Sequence, residues 1–214
     1  MKKILLTLVI FSFVLAVSTN AQALIIPGLY NTGVNDSGVE LSIGSVDNHY
    51  ALVVPPTGSS APAYAINNHP AWAVAPAGSE WIGPLNGNSV GTDGVYFYTT
   101  TFDLTGLDYT TASISGKWAA DNDVNLFLND IDTGLGVVGF ATLTSFNLTS
   151  GFQAGVNTLK YRVDNYYNSG HANPTSLLIS GLSGTADANA VPEPASMLLF
   201  GTGLVGAVLR RRRK

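Results

Sequence analysis

Short runs of alternating apolar and polar residues, separated by turn residues, restrict the fold of this 214-residue chain more than any other feature. In the stretch GVYFYTTTFDL, Tyr96 and Tyr98 share one face of an extended strand, and in NTLKYRVDN so do Leu159, Tyr161 and Val163. Glycine, proline, asparagine and aspartate separate these runs at intervals of about ten residues, as in an antiparallel β-sandwich. The sequence therefore predicts an all-β fold, an antiparallel β-sandwich or jelly roll.

Two further segments fit the same pattern. TASISGKW places Ile114 and Trp118 on one face of a strand, and VNLFLN places Phe127 opposite its leucines and valine. We predict that the β-sandwich domain spans residues 24–182. Residues 183–191 are small and polar, which predicts a linker.

A family resemblance covers the middle of this domain, from about residue 95 to residue 165. The stretch YFYTTTFDLTGLDYTTASISGKWAADNDVNLFLND, followed by FQAGVNTLKYRVDN, resembles the galactose-binding-like jelly roll. The resemblance implies a jelly-roll fold, and such modules frequently bind carbohydrate, although some are purely structural. Many members have Asn-Gly where this chain has Asn129 and Asp130, so we expect a longer hairpin here.

The N-terminus has the composition of a secretory signal peptide. Two lysines precede an almost wholly apolar run over residues 4–17, and Ala21-Gln22-Ala23 is an A-x-A cleavage site. The run is too short for a transmembrane helix. We predict a signal peptide, with its signal helix, over residues 1–23, cleaved after Ala23 or alternatively after Ala21.

The C-terminus combines a proline-rich tripeptide, an apolar segment and a basic tail. Pro192-Glu193-Pro194 keeps the chain extended, because residues that precede proline avoid helical geometry. The uncharged run 195–209 predicts a short transmembrane helix, and the basic tail 210–214 would stay on the cytoplasmic side. The cations flanking the membrane segment are Arg210, Arg211, Arg212 and Arg213.

This tail, residues 192–214, resembles the PEP-CTERM sorting signal, which is typical of exported proteins in Gram-negative bacteria that make exopolysaccharide. In such proteins an exosortase is thought to recognise the Pro-Glu-Pro segment and remove the anchor. The resemblance implies an exosortase partner, a transient inner-membrane anchor, and a final location at the outer cell surface or in the extracellular matrix. A plain C-terminal anchor with a fortuitous Pro-Glu-Pro is the alternative.

The charge balance between the two ends excludes some partners. Residues 24–190 contain three cations and thirteen carboxylates, so this body is strongly acidic. Nucleic acid is a poor partner for such a surface, because phosphate binding needs clustered Lys and Arg. The chain has no cysteine, which excludes disulfides, thiol catalysis and thiolate metal sites.

The histidines show no arrangement typical of a catalytic or metal site. His49, His69 and His171 lie far apart, and none is part of an H-E-x-x-H motif or has metal-ligand spacing. The acidic residues lie mostly in predicted turns and strand edges, where aspartate is common. We therefore predict that the protein is not an enzyme and has no catalytic residues.

The segment DNDVN has two interpretations. Asp121, Asp123 and Asn125 at alternate positions offer oxygen ligands like the start of a calcium loop, but no glycine follows at the sixth position. A turn between two strands explains the same residues, since Asp and Asn bond locally to the backbone. The turn is favoured, so we predict no cofactor and no metal site, with structural calcium as the weaker alternative.

Aromatic residues could form a platform for sugar rings, because the faces of such rings stack on sugar C–H groups. Trp118 also shares a face with Ile114, which favours a core position, whereas Trp81 is the better candidate for exposure. The aromatic candidates are Trp72, Trp81, Trp118, Tyr166 and Tyr167. The predicted ligand-binding residues are Trp81, Trp118, Asp121, Asn122 and Asp123.

Together these features predict an exported, non-catalytic carbohydrate-binding protein of the cell surface or exopolysaccharide matrix, with polysaccharide as its partner. One alternative is a structural or adhesive matrix protein without a sugar site. A weaker alternative is an enzyme that acts on extracellular glycans.

Overall fold

The structure, a computed structural model, describes residues 22–54, 59–166 and 173–189, together with Arg211. Of the predicted signal peptide only Gln22 and Ala23 are described, and Ala23 is the first residue of a strand. Residues 1–21, the Pro-Glu-Pro segment and the membrane segment 195–209 lie outside the described residues. Within the described part of the chain, no helix has the length and apolar character needed to cross a membrane.

The described residues between Gln22 and Ala188 form one compact unit with thirteen strands. In chain order they are β1 (Ala23–Ile25), β2 (Val46–Val54), β3 (Ser59–Ala65), β4 (Ile82–Gly83), β5 (Val90–Gly91), β6 (Gly94–Asp103), β7 (Leu107–Asp121), β8 (Asp123–Leu128), β9 (Ile131–Val138), β10 (Thr144–Leu148), β11 (Val156–Asn165), β12 (Asn173–Pro174) and β13 (Ser176–Ala188). The prediction of an all-β fold is confirmed.

The strands pair antiparallel in one long sheet that folds over on itself. Its order is β10-β7-β13-β4-β3-β2-β6-β11-β8-β9, with β1 added beside β13, while β5 and β12 form a separate pair. The inner faces of β7 and β11 meet where Trp118 packs edge-on against Tyr161, with ring centroids 6.3 Å apart. The two halves of the sheet thus enclose the main core between them.

Alternation along the strands produces this core, as the sequence predicts. Tyr96 and Tyr98 of β6 and Leu159, Tyr161 and Val163 of β11 are all buried. Their neighbours in the sequence, at the positions between them, face outward and are only partly buried. Because successive side chains of a strand point to opposite faces, this local pattern suffices to orient each strand.

The hairpin between β8 and β9 is shorter than expected. Asn129 and Asp130 alone connect the strands, with φ angles of 52° and 67°. A two-residue hairpin turn of this kind needs a positive φ at both positions, and Asn and Asp adopt that conformation more readily than most residues. The prediction of a longer hairpin is therefore wrong, since Asp130 takes the place of the usual glycine.

Strand β13 continues through residues 183–188, which the sequence predicts as linker. Ser183, Thr185 and Asp187 align with residues of β7, and Thr185 and Asp187 also align with β1 on the other side. Small polar residues are compatible with a strand when both neighbours supply backbone hydrogen bonds. The linker prediction is wrong for these six residues.

Candidate functional site

Trp81 is enclosed and offers no ring face to a ligand. Its side chain is fully buried, its ring lies 4.6 Å from that of Trp72, and its indole N–H donates to the carbonyl of Ala73 across 3.0 Å. Together with Ile66 and Leu178, these rings form a second, smaller core. The expectation that Trp81 is exposed is therefore wrong, because the segment around Trp72 folds back over it.

Trp118 also lies in the interior. Its ring is 1% exposed and packs 4.8 Å from Phe146 and 6.3 Å from Tyr161, between the two halves of the sheet. This is the core position that its shared face with Ile114 favours. Neither of the two predicted tryptophan platforms is open to solvent, so the role of both side chains in this structure is packing.

Asp121, Asn122 and Asp123 form the tight connection between β7 and β8. The carboxylate of Asp121 is buried and accepts the indole N–H of Trp72 across 2.8 Å. Burial raises the pKa of the Asp121 carboxyl, and the bond from Trp72 opposes this effect. Asp121 therefore supports the turn from within and is not available to a ligand.

The other two turn residues converge on Tyr166, which follows directly after β11. The side-chain oxygen of Asn122 accepts a hydrogen bond from the backbone N–H of Tyr166 across 3.0 Å. The carboxylate of Asp123 accepts a hydrogen bond from the hydroxyl group of Tyr166 across 2.5 Å. The carbonyl of Tyr166 accepts a third bond, from the amide of Asn173, across 3.2 Å. The hydrogen bond to Asp123 raises the pKa of Tyr166 to about 12.

These contacts hold an exposed aromatic ring in a fixed position. Tyr166 is 50% exposed although both its backbone and its hydroxyl are bonded. Asp164 lies opposite Asp123 in the β11–β8 pairing and accepts a bond from Arg162 across 2.7 Å. We call Asn122, Asp123, Asp164 and Tyr166 the rim site.

The electrostatics of the rim site are those of a hydrogen-bond acceptor. Burial raises the pKa of Asp164, Arg162 lowers it, and the charge of Asp123 raises it further. The carboxylate of Asp164, beside the accessible ring of Tyr166, suits a ligand that has hydroxyl groups around an apolar face. The second carboxylate oxygen of Asp123 is buried and has no hydrogen-bond partner among the described residues. Among the described residues, no group of three or more His, Asp or Glu side chains is placed to hold a metal ion.

The histidines are separate in space as well as in sequence. His69 lies beside Trp72, with ring centroids 5.5 Å apart. His171 falls outside the described residues, and so does the aromatic candidate Tyr167. His49 stacks on Tyr30 at 3.7 Å. His69 is close enough to Asp121, the neighbour of Asn122, for its charge to lower the pKa of that carboxyl.

Both ring nitrogens of His49 face oxygen atoms of the protein. Nδ1 lies 3.1 Å from the carbonyl of Val34, and Nε2 lies 3.0 Å from the carboxylate of Asp36. The ring forms part of the wall of a shallow depression of about 310 Å³ that Asn35, Ser37 and Leu41 also line. Neither nitrogen is directed at a hydroxyl group, which general-base activation of a nucleophile would need.

Sequence reasoning missed two residues of this region, Asp164 and Arg162. Both lie at outward positions of β11, between buried Tyr161, Val163 and Asn165. The alternation shows that they face solvent, but their position beside Asp123 depends on the pairing of β11 with β8. No short motif in the sequence carries that information.

Comparison with known proteins concerns first the C-terminus. Residues 190–213 match the profile of the PEP-CTERM protein-sorting motif. The chain carries a PEP-CTERM sorting motif. This confirms the resemblance of the tail, and the motif indicates an exported protein that is processed at the cell envelope.

Solved structures similar to this PEP-CTERM chain include carbohydrate-binding modules. A variant of a family 29 module has a TM-score of 0.38 and 9% identity, over 78% of this chain and 92% of that module. A family 35 module from an environmental isolate has a TM-score of 0.30 and 14% identity, over 80% and 99%. A family 35 module from Paenibacillus barcinonensis has a TM-score of 0.27 and 10% identity, over 75% and 98%. No curated protein matches the chain in sequence.

Proposed function

We propose that this exported PEP-CTERM protein binds polysaccharide without catalysis, at the rim site, in the cell envelope or the exopolysaccharide matrix. An exosortase processes it at Pro192-Glu193-Pro194, so the β-sandwich leaves the membrane and acts on the outer side. The proposal names no particular sugar. It assigns the ligand to the class of hydroxyl-rich polymers.

The position of Tyr166 is the observation that carries the binding proposal. An exposed ring normally loses side-chain freedom when a ligand stacks on it, and this loss opposes binding. Here the hydroxyl is already bonded to Asp123 and the backbone N–H to Asn122, so much of that entropy is lost on folding. A pre-positioned ring beside the carboxylate of Asp164 supports weak, reversible sugar binding.

The bonding of the two carboxylates supports binding rather than hydrolysis. Glycoside hydrolysis needs one carboxyl group as the general acid and a second as nucleophile or base. In the rim site Asp123 is bonded to the hydroxyl of Tyr166, and Asp164 to the guanidinium of Arg162. Both groups are thus bonded to donors of the protein, and this bonding argues against their use as general acid and nucleophile.

The binding proposal is tested by affinity electrophoresis of the full-length chain in mild detergent. Native gels contain hydroxyethyl cellulose, galactomannan, xylan or exopolysaccharide isolated from the producing bacterium. The Tyr166→Ala variant removes the ring, and the Tyr109→Ala variant is a matched control, since Tyr109 in β7 is 42% exposed. We expect retardation of the wild type and the control, and loss of retardation for Tyr166→Ala.

A second variant separates stacking from the hydrogen bond. Tyr166→Phe keeps the ring but loses the bond to Asp123, so we expect intermediate retardation. If no polysaccharide retards the wild type, or if Tyr166→Ala binds as well as Tyr109→Ala, the rim site is not a sugar site. The first of these results would favour the structural or adhesive alternative.

A further inference from the structure

The outward positions of β11 continue the rim site across the sheet. Lys160, Arg162 and Asp164 alternate with buried residues, and Tyr166 follows at the next alternate position. We call these four residues the β11 strip. At about 3.3 Å per residue, the strip from Lys160 to Tyr166 is about 20 Å long. This length exceeds what a single sugar ring can cover.

Two half-buried phenylalanines flank the strip from opposite sides. Phe97 of β6 aligns with Arg162, and Phe127 of β8 aligns with Lys160. With strands about 4.8 Å apart and a two-residue offset along them, the two side chains are about 12 Å apart diagonally. The ammonium group of Lys160 lies 5.9 Å from the centre of the Phe97 ring. Apolar surface thus alternates with polar groups across the strip.

On the β8 side of the strip the surface is polar, and no side chain projects from it at Gly136 of β9. Asn125 aligns with Arg162 on one side and with Gly136 of β9 on the other. A Cβ atom at Gly136 would lie 2.7 Å from the amide nitrogen of Asn125, so the glycine leaves room for this side chain. The amide therefore lies over β9 and offers a donor and an acceptor next to Phe127.

The charges of the strip select the class of polymer. Lys160 forms an ion pair with Asp130, and Arg162 pairs with Asp164, so each cation meets a carboxylate. Asp123 adds a negative charge where the strip meets the rim site. An acidic polysaccharide would be repelled by these carboxylates and would find no unpaired cation on the strip to offset the repulsion. A neutral polysaccharide would not be repelled.

We propose that the β11 strip, with Phe97 and Phe127, binds several consecutive units of an extended neutral polysaccharide chain. This inference rests on the proposed function and deepens it, since it assigns the binding mode. The polysaccharide lies along β11, with one sugar ring on Tyr166 and other rings between the two phenylalanines. Internal stretches of a polymer are therefore bound, and a free chain end is not required.

The test uses a series of neutral oligosaccharides of increasing length, taken from whichever polysaccharide retards the wild type. Affinity for the full-length chain is measured by isothermal titration calorimetry. We expect affinity to rise over several added units and then reach a plateau. Phe127→Ala should weaken binding of the longest member by about threefold to tenfold, which corresponds to the loss of one aromatic stacking contact.

Control variants distinguish the strip from the rim site. Ile131→Ala removes apolar surface from β9, where Ile131 is 69% exposed, and should leave binding unchanged. Arg162→Gln alters the strip without removing core surface, so it tests the proposal even if Phe127→Ala unfolds. Melting followed by circular dichroism identifies variants that lose the fold.

Three results would overturn the inference. One is affinity that does not depend on oligosaccharide length, and another is wild-type affinity in both Phe127→Ala and Arg162→Gln. In these two cases Tyr166→Ala can still abolish binding, so the proposed function would stand while the strip fails. The third is preferential binding of an acidic polymer such as polygalacturonate. If Tyr166→Ala and the strip variants all bind as the wild type does, both proposals fail.

Discussion

The indole N–H of Trp72 donates to the carboxylate of Asp121 across 2.8 Å, and this bond joins residues 49 positions apart in the chain. This bond attaches the segment around Trp72, which covers Trp81, to the last residue of β7. The carbonyl of Asp121 accepts a further bond from the hydroxyl of Thr175 across 3.2 Å. The turn that supports the rim site is therefore anchored from two sides of the interior.

Loss of the bond from Trp72 should destabilise the fold. Trp72→Phe keeps an aromatic ring in the second core but leaves a buried carboxylate without its indole donor. We expect the free energy of unfolding, measured with urea, to fall by about 1–3 kcal/mol. Asp121→Asn retains an acceptor for Trp72 and is the matched control, with a smaller expected loss. Equal losses in the two variants would contradict the role assigned to this bond.

The hydroxyl of Tyr161 is buried between the two halves of the sheet and has no hydrogen-bond partner in the described part of the chain. Its burial raises the pKa of Tyr161 far above the ordinary value for tyrosine. Because an unpaired buried hydroxyl costs free energy, we expect Tyr161→Phe to stabilise the protein by about 1 kcal/mol. Thermal unfolding measures this shift. A clear loss of stability would show that the hydroxyl does have a partner.

The carboxyl group of Asp47 should make stability depend on pH. Burial raises the pKa of Asp47, and bonds from the backbone N–H groups of Gly33 and His49 oppose this effect. Since the pKa in the folded state lies above the unfolded value, the proton bound by Asp47 stabilises the fold. That contribution is complete below the unfolded pKa and is lost as pH rises through the folded pKa.

The Asp47→Asn variant isolates this effect, because all other carboxyl groups remain and cancel in the comparison. We expect the difference in unfolding free energy, wild type minus variant, to increase as pH is lowered from neutral through the folded pKa of Asp47. Urea unfolding across that pH range gives the difference at each point. A difference that does not change with pH, or that decreases on acidification, would contradict the assignment.

Processing at the sorting motif should be visible in the mass of the protein. We expect the chain recovered from the matrix of the producing bacterium to lack the signal peptide and the residues after about Pro194. Replacement of Pro192, Glu193 and Pro194 by alanine should leave the basic tail in place. Ser196→Ala alters the tail but not the tripeptide, so it should be processed normally. Intact-mass measurement distinguishes these species, and a wild-type chain that still ends at Lys214 would exclude processing.

The sequence was sufficient for those features of the fold that depend on near neighbours. The alternation in β6 and β11 predicts their buried faces, because the side-chain period of a strand is a local property. The prediction of exposure for Trp81 failed because its cover comes from Trp72, and nothing in the residues next to Trp81 shows how that segment folds back.

The rim site was predictable only in part, for the same physical reason. The segment DNDVN correctly indicates a turn, and Asn122 and Asp123 do face a candidate aromatic residue. However, Tyr166 and Asp123 are 43 positions apart, and they meet because β11 pairs with β8. Such pairing depends on the register of whole strands, which a reading of single motifs does not supply.

Strand β11 is bonded along both edges, to β6 and to β8, and its residues alternate between the core and the solvent. Its two sets of side chains can therefore be changed separately. If the strip binds polymer as proposed, substitutions at Lys160, Arg162 or Asp164 would change which polymer is recognised while Leu159, Tyr161 and Val163 keep the sandwich closed. A strand of this kind would let a sugar-binding protein change its specificity without a cost in folding.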